Sequence, residues 1–173
     1  MRNDNFWNDV VKYGAILGAV AIVFDVLGAV RQNMLLSIGS LAAFIVLVFY
    51  FTKRRATLYG NDEQGYSYGR CMGFIVCMML VAGLLQGIYT VVASKWLFVE
   101  KYQEATSLMV ASLESTGFYT AEMLEKVVKI TQNPAVTVFS SILGAVIKGA
   151  FFGLFIAAFT RREPNIFAEP KDE

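Results

Sequence analysis

Cys71 to Ser94 reads CMGFIVCMMLVAGLLQGIYTVVAS, without a single Asp, Glu, Lys or Arg. An α-helix needs roughly 20 predominantly apolar residues to cross a hydrocarbon core, and this stretch exceeds that. Lys95, Trp96, Phe98 and Tyr102 follow it as the aromatic and basic belt of a membrane boundary. Gln86, Tyr89 and Thr90 are its only polar lining toward that end. The composition of the whole chain agrees: 56% of 173 residues are hydrophobic and only 17% charged, more apolar than a soluble domain requires.

Three further runs flank it. Tyr13 to Val30 is broken only by Asp25 and covers roughly 27 Å as a helix. A cleaved signal peptide would have a shorter apolar core and would rarely hold a carboxylate, so a retained span is expected. Arg31, Gln32 and Asn33 leave room only for a tight turn into the second run, Met34 to Thr52, which ends at Lys53, Arg54 and Arg55. The fourth run extends from Pro134, behind the N-cap residue Asn133, to Thr160, and is interrupted by Lys148. The fold expected is therefore all-α: one membrane domain over 1–173, a four-helix bundle with spans at about 13–30, 34–52, 71–94 and 134–160.

Residues 95–133 are too polar to span and too patterned for a loop. Phe98, Tyr102, Ala105, Met109 and Ser112 recur every three or four positions, and Met123, Leu124, Val127, Val128 and Thr131 repeat the pattern behind Thr120. Ser115, Thr116 and Gly117 separate the two, which predicts a helical hairpin outside the bilayer. Lys and Arg number nine on the side of both termini, against one in the tight turn and four in the hairpin, where five glutamates outweigh them. The positive-inside rule then places both termini in the cytoplasm and the hairpin outside.

Lipid gives no apolar drive for helix association, so small residues that permit close approach indicate packing faces. Ser141, Ala145, Gly149, Gly153 and Ala157 form such a ridge, and Gly14 with Gly18, Gly69 with Gly73 and Gly83 with Gly87 repeat its spacing. They are read as contacts within the bundle, with a homodimer face as the alternative. The second run has only Gly39 with Ala43 and is expected at the periphery. Trp7, Tyr66, Tyr68, Trp96 and Tyr102 are the expected interfacial anchors.

Asp25 and Lys148 are the candidate functional pair, because a charge at the centre of a span costs about 2.5 to 3.5 kcal/mol on the insertion scale. Asp25 lies thirteen residues beyond Lys12 and Lys148 thirteen before Arg161, so both sit about 20 Å from one boundary. Measured from the other boundary they do not align. The pair is read either as an ion pair locking the first span to the fourth, or as a proton, ion or substrate site.

With no histidine, no GxSxG, HExxH or phosphate-loop pattern, and no paired carboxylates on one span, neither catalysis nor a cofactor or metal site is expected. Cys71 and Cys77 form no CxxC motif. A net charge of +1 gives no basic surface for nucleic acid, leaving the lipid bilayer and a protein docked on 95–133 as the expected partners. Gly65, Tyr66, Ser67, Tyr68, Gly69 and Arg70 before the third span, with the glycine-rich start of the first span and the helical insertion before the fourth, resemble the bacterial four-helix membrane family termed domain of unknown function 4199. The resemblance implies four spans in a bacterial inner membrane and transfers no activity. On these grounds the chain is expected to be a structural or accessory membrane protein with a docking hairpin, or else a small proton- or ion-coupled transporter or channel built on Asp25 and Lys148.

Overall fold

The computed structural model describes residues 5–31, 34–60 and 65–164. They form six α-helices: α1 Phe6–Val30, α2 Met34–Tyr59, α3 Tyr68–Val92, α4 Val99–Ser115, α5 Ala121–Thr131 and α6 Pro134–Thr160. A π-helical turn, Ala93–Leu97, continues α3. Four helices are long and apolar enough to cross a membrane: α1, α2, α3 with its π turn, and α6. The chain is thus an all-helical membrane protein with α4 and α5 between its last two spans. Gln32, Asn33 and the loop residues Asn61 to Glu63 lie outside the described residues.

Local chemistry sets the helix ends. The Ser67 side chain accepts from the Arg70 amide, Thr120 from Met123 and Asn133 from Ala135, each satisfying an N-terminal amide that lacks a helical partner. Gly117, at φ +72°, takes the left-handed conformation that stops α4. Two spans outrun their apolar cores. Helix α1 starts at Phe6 and includes Asp9 and Lys12, while α2 carries Lys53, Arg54 and Arg55 on to Tyr59.

Helix α3 packs against both α1 and α6, and α2 closes the ring against the same two helices. Glycine sets the closest crossings. A Cβ on Gly83 would lie 2.8 Å from both the Ile142 Cα and the Ala145 Cβ of α6. One on Gly14 would lie 2.7 Å from the Met78 carbonyl of α3. Gly18, Gly87, Gly149 and Gly153 also line these seams, and Ala145 and Ala157 are buried in the α6 face. Gly69 and Gly73 do not pack: nothing lies within 4 Å of a Cβ at either, because the small face α3 turns to its neighbours begins further along.

The base of the bundle, where α1 begins and α6 ends, holds its tightest core. Arg55 is not the boundary charge its sequence position suggests; its side chain is 0% exposed. It forms an ion pair with Asp9 of α1, and its Nε donates to the Tyr66 hydroxyl at 3.0 Å. Its guanidinium lies 4.5 to 5.2 Å from the ring centroids of Tyr59, Phe6 and Phe74. Tyr66 is correspondingly no interfacial anchor, being 3% exposed. Its backbone pairs with Arg162 beyond α6 through hydrogen bonds of 2.7 and 3.0 Å. Gly65, at φ +62°, lets the two segments approach, since a Cβ there would meet the Arg162 carbonyl.

At the opposite end, the crown, the packing changes. No residue of α1 after Gly18 is buried, and none of α2 before Phe44. Helices α3 and α6 stay in close contact there through Gly83 and Gly87.

Candidate functional site

The crown half of the bundle holds Asp25, Gln86 and Lys148. The Gln86 amide donates to the Asp25 carboxylate at 2.9 Å, which joins α1 to α3. The Lys148 ammonium lies 4.5 Å from the Phe44 ring centroid, which joins α6 to α2. Among the described residues no ion pair joins Asp25 to Lys148, so the direct lock considered from their matching depth is replaced by separate partners for each. Helix α3 stands between their backbones, and its Gln86 takes up the carboxylate instead. Both charged residues are exposed, because the crown half of the bundle does not close over them.

Gln86 and Lys148 line a cavity of about 240 Å³ with Thr90, Ser141, Gly144 and Ala145. Thr90 and Ser141 also line a larger cavity of about 970 Å³ that rises between α3, α4 and the start of α6. The two share this wall, and together they are called the vestibule, reaching from the crown to Lys148. Lys95, Trp96, Tyr102 and Gln103 border its upper part. The π turn brings Lys95 and Trp96 to that border: the Phe98 amide bonds the Ala93 carbonyl at 2.8 Å, so one extra residue fits within the turn. Tyr102 is half-buried and lines this wall. Its phenol is pushed up by burial, with Tyr89 and Asp25 adding to the shift and Thr90 opposing it, so it stays neutral.

Of the other expected anchors, Trp7 and Trp96 are 69% and 71% exposed, and the Tyr68 hydroxyl donates to the Leu154 carbonyl at 3.4 Å. Sequence reasoning noted Gln86 only as a polar lining residue; its partner on α1 could not be read from spacing on its own helix. It missed Lys101 altogether. The Lys101 ammonium donates to the Gly28 and Ala29 carbonyls at 3.0 and 2.8 Å, satisfying acceptors left free where α1 ends. This contact fastens α4 to α1 beside the vestibule. Lys101→Met removes it, and faster proteolytic cleavage within α4 and α5 is expected, roughly fivefold or more, with the spans intact. Unchanged cleavage would show that the hairpin is held by other contacts.

No curated protein and no solved structure matches the chain. A family model does, from residue 12 to residue 162, which takes in the vestibule and most of the base cluster. By that match the chain belongs to the family described as protein of unknown function (DUF4199).

Proposed function

We propose that this membrane protein admits a small polar solute from its crown to the Asp25, Gln86 and Lys148 cluster, binding and moving it rather than catalysing a reaction. The observation that carries the reading is that Thr90 and Ser141 line both the upper cavity and the one that holds Lys148. Intramembrane charge is expensive, and it is typically retained where it faces a hydrated cavity and serves an ion or substrate. Asp25 then acts as the coupling carboxylate, taking up and releasing a proton beside Gln86. The charge distribution favours cytoplasmic termini and an outward crown, and the family resemblance favours a bacterial inner membrane.

The test is proton movement in liposomes containing the purified protein and a trapped pH-sensitive dye. Movement is expected with the parent chain and with Glu122→Gln, and should fall about tenfold or more in Asp25→Asn. Absence of movement with a folded, monodisperse parent would remove the carrier reading.

A second reading, a partner-docking accessory protein, is favoured by the surface of the hairpin. Helix α4 contributes no buried residue and α5 only Leu124, while Leu108, Phe118, Met123 and Ile130 are exposed. Cross-linking in native membranes separates the two: deletion of residues 100–129 should abolish capture of a partner if docking is the role.

A further inference from the structure

We infer that the vestibule binds a small hydroxylated anion, its charged group against Lys148 and its hydroxyls against the walls. This rests on the solute reading above and adds the class of ligand. The first argument is charge. The lining of the two cavities contains two cations, Lys95 near the upper rim and Lys148 at the floor, and no Asp or Glu. Asp25 is not among the lining residues, and its carboxylate is engaged by Gln86. The Lys148 ammonium has no ion-pair partner among the described residues, and its contact is the face of the Phe44 ring. An arriving oxyanion gains a charge-assisted hydrogen bond there without displacing a salt bridge.

The second argument concerns the walls. Thr90, Ser94, Thr106, Thr131, Thr137 and Ser141 line the vestibule, and every one of their hydroxyls donates to a helix carbonyl, at 2.8 to 3.3 Å. Ser140, Gln103 and Gln132 also line the cavity and bring donors of their own, but a hydroxyl has one donor and two lone pairs, so the six side chains above offer acceptors only. A ligand that satisfies them must carry its own O–H or N–H groups. An ammonium would supply donors but would meet Lys148, whereas a hydroxylated anion satisfies floor and walls together. The upper cavity, at about 970 Å³, has the size of a small-molecule site, and the lower, at about 240 Å³, takes one charged group.

Two sources present this chemistry: a soluble hydroxy acid, and the glycerol phosphate headgroup of an anionic lipid. Calorimetric titration of the full chain in nanodiscs distinguishes them, with gluconate as the soluble probe and sorbitol and acetate as its halves. In phosphatidylcholine discs gluconate should bind at least tenfold more tightly than either half. If gluconate binds only weakly, but phosphatidylglycerol in the discs raises the midpoint of thermal unfolding in a Lys148-dependent way, the lipid headgroup is the source and the assignment of class stands. Lys148→Met should lose at least tenfold for whichever anion binds, and Lys148→Arg should retain most of the affinity. Thr90→Val, which keeps the charge, should weaken gluconate about threefold and leave acetate unchanged. Anion binding in the discs and proton movement in the liposomes are measured independently on the parent chain. The failure of transport and the failure of this assignment are thereby read separately. Sorbitol binding as tightly as gluconate, anion binding insensitive to Lys148, or no response to either anion would each overturn it.

Discussion

Arg55→Ala should destabilise the bundle by about 3 to 5 kcal/mol, the range for removing one partner of a buried ion pair. The loss has three components. Asp9, whose side chain is 17% exposed, is left without its cation. The Tyr66 hydroxyl loses the Nε donor, and three aromatic rings lose the guanidinium that fills the space between them. Arg55→Lys should recover little, since an ammonium cannot serve the carboxylate and the phenol together or stack between rings. Asp9→Asn combined with Arg55→Met should recover part of the loss by removing both charges and restoring apolar volume. Equilibrium unfolding in detergent micelles, followed by Trp7 fluorescence beside Phe6, measures all three variants. An Arg55→Ala chain within about 1 kcal/mol of the parent would mean the cage is not what holds the base together.

Gly83→Ala carries the second large effect, about 1 to 3 kcal/mol of overpacking. The added methyl would lie 2.8 Å from the Ile142 Cα, and backbone cannot yield without moving α6 away from α3. Gly149 provides the contrast. There the methyl meets the side chain of Met79, whose flexible thioether can turn aside, so Gly149→Ala should cost much less. Gly73→Ala meets nothing within 4 Å and should be neutral or slightly stabilising through helix propensity. The order of unfolding midpoints, Gly83→Ala lowest and Gly73→Ala highest, is the expected result. Equal midpoints for the three would show that helix separation is not set by glycine.

Which parts of this structure were legible in sequence follows from the range of each signal. Apolar run length and local capping are short-range properties, and they sufficed for four membrane-length helices, for the hairpin between the last two, and for the caps at Thr120 and Asn133. The site was legible in its charges, because Asp25 and Lys148 interrupt otherwise apolar runs. Their partners were not, since contacts between helices depend on rotation and on order around the ring. Spacing cannot reveal that α3 intervenes between α1 and α6, and so it paired the two charges directly. Arg55 was misread for a related reason. A basic cluster after an apolar run has the appearance of a membrane boundary whether its side chains face water or turn inward, and only the arrival of Asp9, Tyr66 and Phe74 from other segments decides between these.

The position of that arginine has a mechanical consequence. With Arg55 joining α1, α2 and Tyr66, and Tyr66 bridged to Arg162, the four spans share a buried joint at the base. Measured from Tyr68 to Leu97, the arm formed by α3 and its π turn is about 45 Å long. A pivot of about 4° at the joint moves the far end by about 3 Å, the width of a water molecule. A pivot at this joint would therefore have its fulcrum in a buried guanidinium and deliver its displacement at the mouth of the vestibule.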